Sequence, residues 1–376
     1  MTRPFDLTEE ERRLRDDART AGVELAEVAR AGEPGRVNRK LLQALAERAL
    51  IPRLFPQDGE VSAMSLCLLR EGLAQTSTEA ETALALQGLG AYPILQSDSP
   101  GLAERWIPAV RAGTAVAAFA LTEPEHGSDA AALELRAEPD GEGWRLHGTK
   151  TWISNAPDAD VYTVFARTTQ DAGSKGVTAF AVPGDAGGLS GGPLEMVAPH
   201  AIGTLTFDGV SVGRDQVLGE VDQGFRVAMR TLDLFRPSVG AFAVGMAQAA
   251  LDAAVAHAGQ RVSMGKPLRE HQAVSQRLGE MSTRVEASRL LVYAAASAHD
   301  TGEPSTKASA MAKLFATETA QYVVDAAVQI HGAAALEKGH LLEHLYREVR
   351  APRIYEGTSE IQREIIAREL FRPDRT

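Results

Sequence analysis

The run Thr114-Ala115-Val116-Ala117-Ala118-Phe119-Ala120-Leu121 follows Gly113 and precedes Thr122-Glu123-Pro124, so turn residues bound a short apolar segment on both sides. With that length and those boundaries it reads as a buried β-strand rather than a helix. The reading divides the chain, because the sequence on either side of this region carries helical periodicity. An α+β fold is expected, with an N-terminal helical domain over 1–114, a middle antiparallel β domain over 115–220 and a C-terminal helical bundle over 221–376.

Working back from the strand, Thr8 is placed to cap a first helix whose Leu14, Ala18, Ala21 and Leu25 share one side. A second helix is expected over 37–49, broken by Ile51-Pro52 and Phe55-Pro56. Segments 61–73 and 79–89 are rich in Leu and Ala and read as buried helices, with Gly90, Pro93 and the 97–101 cluster as punctuation. Working forward, strands are expected at 144–146, 161–167, 177–182 and 205–212, separated by Asp140-Gly141 and by a 184–192 turn region. Leu205 and Phe207 alternate with Thr204 and Thr206, the period of a half-buried strand. After Gly224-Phe225 helices return. Arg236-Pro237 reads as a helix start, and further helices are expected over 268–299, 305–329 and 360–370, alanine-rich enough to pack closely.

A chain of 376 residues exceeds what one core usually serves. Its net charge of −11, from 39 basic and 50 acidic residues, opposes binding to nucleic acid or an anionic membrane. Cys67 is a single cysteine, so no internal disulfide and no zinc-type spacing exist, and no metal is expected. Residues 2–19 are densely charged without an apolar core, and no uninterrupted apolar run of about 18 residues occurs. These features read as a complete, cytoplasmic protein.

Three stretches carry candidate chemistry. Ile354-Tyr355-Glu356-Gly357-Thr358-Ser359-Glu360-Ile361-Gln362 sets a carboxylate on a tight turn before a helix. Gly357 supplies the backbone freedom, and Ser359 with Gln362 forms a capping box unless Thr358 is the cap. Alone, the stretch reads equally as helix-start chemistry with a solvated glutamate. Leu121-Thr122-Glu123-Pro124-Glu125-His126-Gly127-Ser128-Asp129 offers backbone N–H groups and hydroxyls to a polar ligand, or is a strand-ending loop with an Asx turn. In Gly148-Thr149-Lys150-Thr151-Trp152-Ile153-Ser154-Asn155 the indole either packs on a planar ring beside a hydroxyl or belongs to the core.

In this order the stretches resemble the acyl-CoA dehydrogenase family over nearly the whole chain, most densely from Ala118 to Ser154 and from Arg236 to Gln362. The resemblance implies FAD as cofactor and α,β-dehydrogenation of an acyl thioester to a 2-enoyl thioester. Glu356 is implied as the base that removes the α proton, with flavin N5 taking the hydride. A free glutamate is too weak a base at a pKa of about 4.3, so burial must raise it while the Glu356 N–H and a ribityl hydroxyl bind the thioester oxygen. Phe235 stands where isovaleryl- and long-chain-type members carry their base, which leaves the medium- and short-chain-type position, Glu356.

Cofactor contacts are implied for Leu121, Thr122, Gly127, Ser128, Trp152, Ile153 and Ser154, the last replacing the commoner Thr. Arg261, Met264 and Gln272 match a segment reaching the dinucleotide held mainly by a neighbouring subunit, with Met264 in place of Phe; an arginine fork suits a pyrophosphate. Gln329, Gly332, Thr358 and Glu360 complete the set, although Ala333 stands where a second Gly is usual, and Arg347-Glu348 matches an Arg-Asp pair. Substrate contacts are implied for Ser128, Asp233, Arg236, Tyr355 and Gly357. Glu81, Ala85 and Leu89 either line the pocket floor or, for Glu81, face solvent. Segment 196–200 departs from the family pattern, which leaves the thioester carrier open between CoA and an acyl carrier protein. Electron-transferring flavoprotein as acceptor and a homotetramer built as a dimer of dimers follow from the resemblance alone. An oxidase or monooxygenase on the same fold is the alternative.

Overall fold

The computed structural model describes residues 6–56, 60–97 and 99–371. Six helices come first: α1 (Glu9–Glu24), α2 (Ala26–Arg30), α3 (Arg39–Glu47), α4 (Ala63–Ala74), α5 (Thr78–Leu95) and α6 (Pro100–Arg111). Seven strands follow: β1 (Ala117–Ala120), β2 (Arg136–Asp140), β3 (Gly143–Ser154), β4 (Val161–Arg167), β5 (Val177–Pro183), β6 (Leu189–Pro193) and β7 (Ile202–Val212). The chain ends with α7 (Gly224–Gln260), a small hairpin of β8 (Val262–Ser263) and β9 (Lys266–Pro267), then α8 (Gln272–Asp300), α9 (Thr306–His331), α10 (Leu341–Glu348) and α11 (Ser359–Leu370). The order is N-terminal helices, a β half-barrel and C-terminal helices. By compactness the chain forms two units: one of Met1–Glu24, Ser62–Glu81 and Asp233–Thr376, the other of Leu25–Val61 and Thr82–Leu232.

The second unit is organised on the sheet, ordered β1-β4-β2-β3-β7-β6 with β5 on β4. Most pairs are antiparallel, as expected, but β4 runs parallel to both β1 and β2, so the domain is not antiparallel throughout. Strand β4 is buried along its whole length, Thr163 and Arg167 included, which is why its mostly apolar sequence shows no alternation. On β7, Leu205 and Phe207 are buried while Thr206 is exposed, as the period-2 pattern requires. Helix α5 closes onto β1 at Gly90, where a Cβ would stand 2.5 Å from the Ala117 and Ala118 backbone.

The first unit packs α1 on α4, α4 on α8, and α9 against α8, α10 and α11. Thr8 caps α1 as expected: its Oγ1 accepts from the Glu11 N–H at 3.2 Å, and Glu11 accepts the Thr8 N–H at 2.7 Å. Three expectations need correction. Arg236-Pro237 does not start a helix, because α7 runs through it with Pro237 inside. A proline removes one N–H bond, to the Asp233 carbonyl, and burial of the surrounding helix outweighs that loss. Pro93 likewise lies inside α5 rather than ending it. The 184–192 region is not all turn, since β6 begins at Leu189. Helix α7 is also long and apolar enough to span a membrane by composition, yet that stretch is mostly buried in protein.

Candidate active site

Glu356 lies on a turn between the 3₁₀ segment Ala351–Arg353 and α11. It adopts φ 51°, and Gly357 follows at φ 89°. Two consecutive left-handed residues reverse the chain, and the first is not glycine, a strain of about 1–2 kcal/mol that surrounding bonds must hold. Those bonds are present. Lys313 of α9 donates from Nζ to the Gly357 carbonyl at 2.7 Å, and Gln362 donates from Nε2 to the carbonyls of Glu356 and Gly357 at 3.2 and 3.0 Å. The expected capping box is absent: Thr358 is the cap, its Oγ1 accepting from the Ile361 N–H at 3.3 Å. Ser359 lies inside the helix and donates to Glu318 at 2.6 Å, because Gln362 is occupied with the turn.

The turn aims the carboxylate inward. Glu356 Oε2 is buried with no hydrogen-bond partner among the described residues, and the Glu356 N–H donates no hydrogen bond to any of them. Burial pushes the Glu356 pKa above the usual carboxylate value, opposed by the charges of Arg70, Lys313 and Arg236 in that order. The Lys313 ammonium is in turn held down at about 8 by burial, with Glu356 opposing. Arg236 is 7% exposed and donates from Nη1 to Asp233 at 2.9 Å, while its Nε is buried without a partner. It sits inside α7 rather than at a helix start.

Arg70 and Glu81 form a buried ion pair, 4% and 0% exposed. Glu81 is thus not the solvated glutamate its helical position suggests. Ser238 of α7 accepts from Arg70 Nη1 at 2.8 Å and itself donates to the Phe235 carbonyl at 2.6 Å. Phe235 is a core residue, 2% exposed.

In the sheet unit a clasp fixes the loop after β1 to β3. Lys150, fully buried, donates from Nζ to the Leu121 carbonyl and to Glu123 Oε1, both at 2.8 Å. The Glu123 carboxylate also accepts the N–H groups of Glu134 and Leu135 at 2.6 and 2.8 Å, and the Thr151 N–H donates to the Thr122 carbonyl at 3.0 Å. Burial lowers the Lys150 pKa to about 8 against the pull of Glu123. The clasp leaves Gly127 and Ser128 exposed and Thr122 half-buried, beside the strand bearing Trp152. Trp152 is not a core residue: it is 52% exposed, at φ 53°, where the β3–β7 register shifts between Lys150 and Ile153. Ser154 is half-buried next to it, whereas the Ile153 side chain is buried and leaves only its backbone for a ligand.

The remaining candidates gather at one end of the helical unit. Arg261 and Met264 are exposed on the α7 end and the hairpin, Gln272 on the first turn of α8, and Gln329 and Gly332 at the α9 end. Stacking of His257 on His331, with ring centroids 4.2 Å apart, holds the α7 and α9 ends together. Thr358 and Glu360 lie instead at the α11 start, and Arg347 pairs with Glu343 while Glu348 is buried.

Residues 118–210 match the acyl-CoA dehydrogenase middle domain and residues 222–371 the acyl-CoA dehydrogenase C-terminal domain. The chain belongs to the acyl-CoA dehydrogenase family. It is 33% identical to a cyclohexane-1-carbonyl-CoA dehydrogenase of Geobacter metallireducens over 98% of this chain and 99% of that protein. Butyryl-CoA dehydrogenase of Megasphaera elsdenii superposes with a TM-score of 0.92 at 33% identity, covering 98% and 100% of the two chains. PigA, solved with FAD and proline, superposes at 0.93 with 26% identity over 98% and 99%. The family is one of flavoproteins that use FAD, and this acyl-CoA dehydrogenase is an oxidoreductase acting on CH–CH groups of acyl-CoA.

Several of the residues that brace these elements escaped the sequence reading. Lys313 stands in an alanine-rich helix and looks solvated; Arg70 and Ser238 sit in apolar runs with no motif around them. Arg70 and Glu81 flank a break between two helices, so no helical spacing links them. Lys150 lay inside a motif without a role, and no local pattern tells that it meets Glu123 27 positions away.

Proposed function

We propose that Glu356 is the base of this acyl-CoA dehydrogenase and that the chain binds FAD and oxidises a CoA thioester. One observation carries the reading: a strained turn presents a buried, unpartnered carboxylate oxygen together with an uncommitted N–H on the same residue. Oε2 is free to receive a proton from the carbon beside a thioester carbonyl. The Glu356 N–H is free to donate to that carbonyl oxygen, where negative charge develops as the proton leaves. Base and hydrogen-bond donor to the thioester oxygen thus come from one residue, and the bonds from Lys313 and Gln362 fix both.

Ionisation of Glu356 is a compromise. Burial makes the carboxylate a stronger base than one in water, and the charges of Arg70, Lys313 and Arg236 favour its ionised form.

FAD suits the residues present. An indole held half-exposed in a left-handed conformation has no core to fill and presents a face to a planar ring. Trp152, Ser154, Thr122 and Ser128 would hold the flavin, and Arg261, Gln272 and Gln329 the dinucleotide of a neighbouring copy. Bound FAD supplies the hydride acceptor. Val262, Met264, Leu336 and Leu341 are exposed and apolar, which supports assembly with further copies into a tetramer. A cytoplasmic location and electron-transferring flavoprotein as electron acceptor complete the proposal.

The test is product analysis. Protein reconstituted with FAD is incubated with straight-chain acyl-CoA thioesters and an artificial electron acceptor. A 2-enoyl-CoA product is expected. FAD that does not bind, or thioesters recovered unchanged throughout, would overturn the reading.

A further inference from the structure

Arg70 lies among helices of the same unit as Glu356 and exerts the strongest pull of any cation on it. Its guanidinium is anchored on two sides, Nε on Glu81 and Nη1 on Ser238, while Nη2 makes no hydrogen bond to any described residue. A rigid planar fork fixed at two nitrogens points its third in a set direction. In the same unit Arg236 Nε and Glu356 Oε2 are buried and likewise make no hydrogen bond to any described residue. Polar atoms in such positions cost stability unless a ligand engages them. A wall built to hold hydrocarbon alone would replace the Arg70–Glu81 pair with apolar side chains at no loss.

Charge narrows the ligand. Arg70, Lys313 and Arg236 are balanced by Glu81, Asp233 and Glu356, three against three. Glu81 already neutralises Arg70, so an incoming carboxylate finds no spare cation and leaves a buried set of groups net negative beside the base. A neutral oxygen accepts from Nη2 without that penalty.

We infer that the acyl group of the substrate carries a neutral oxygen function, a hydroxyl or carbonyl, that accepts a hydrogen bond from Arg70 Nη2, with Glu81 and Ser238 holding Arg70 in place. This rests on the proposed dehydrogenation and names its substrate class. Arg70 is a specificity-determining residue in this account.

The experiment compares kcat/KM of the FAD-loaded full chain for pentanoyl-CoA, 4-hydroxypentanoyl-CoA, 5-hydroxypentanoyl-CoA and glutaryl-CoA. At least one hydroxy thioester is expected to exceed pentanoyl-CoA and glutaryl-CoA by tenfold or more. In Arg70→Met/Glu81→Met, which removes both charges together, pentanoyl-CoA is expected to become the better substrate. Preference for pentanoyl-CoA or glutaryl-CoA in the native chain overturns the inference while leaving the dehydrogenase reading intact. An unchanged ranking in the double variant also overturns it. Turnover of none of the four overturns the dehydrogenase reading itself. If the double variant yields no folded protein, the native ranking decides.

Discussion

Gln362, on the first turn of α11, reaches back to donate to the carbonyl oxygen of Glu356 at 3.2 Å, so the helix that follows the turn holds the residue that precedes it. The same amide binds the Gly357 carbonyl, and the residue is fully buried. A left-handed glutamate is retained because its carbonyl and the next are both fixed, one by Gln362 alone and one by Gln362 and Lys313.

Gln362→Ala removes both amide bonds and lets the turn relax. The expected result is kcat lowered by about tenfold or more, since a misplacement of about 1 Å can cost 10²-fold, with KM changed much less. Steady-state kinetics check it. A loss confined to KM would contradict a role in aiming the carboxylate.

Glu356→Gln is expected to raise thermal stability at neutral pH while abolishing dehydrogenation. The sign follows from linkage. A carboxyl whose folded pKa lies above its unfolded value contributes stability below the unfolded pKa and loses it as pH rises through the folded one. Replacing it with an amide removes that loss. The difference in Tm between native and variant chains should vanish in acid, below about pH 4, and grow toward neutrality.

Lys313→Met is expected to move the acid limb of the kcat/KM profile to higher pH. Lys313 favours the ionised Glu356, so without its charge more base is protonated at any given pH. The profile, recorded in reactions of the FAD-loaded variant, should rise later than that of the native chain. A limb at unchanged or lower pH would show that the two groups do not interact.

Lys150→Met strands a buried Glu123 carboxylate and should cost about 3–5 kcal/mol of stability, read by urea denaturation. Because the clasp positions the loop beside Trp152, FAD affinity should fall as well. Trp152→Ala should reduce FAD affinity with little change in stability, since the indole is half-exposed, and Trp152→Phe should restore part of it.

Among the described residues seven non-glycine positions have positive φ, and three of them, Trp152, Met264 and Glu356, are candidate site residues of the sequence motifs. Motif reading succeeds there because turn and bulge chemistry is local. The alternation of β7, the Thr8 cap and the long helices were legible for the same reason. Burial that depends on partners far along the chain was not. Glu81 reads as solvated until Arg70 is folded against it, and Arg236-Pro237 reads as a helix start until the packing of α7 overrides the lost bond. Ser359 and Gln362 read as a box, yet tertiary bonds to Glu318 and to the turn claim both side chains.

The most direct test of the account is anaerobic rapid mixing of the FAD-loaded chain with a reducing acyl-CoA thioester, native beside Glu356→Gln, following the flavin absorbance. The account predicts fast bleaching in the native protein and a rate at least about 10³-fold slower in the variant, the loss of a general base plus its positioning. Equal bleaching in both would contradict it and move the base elsewhere.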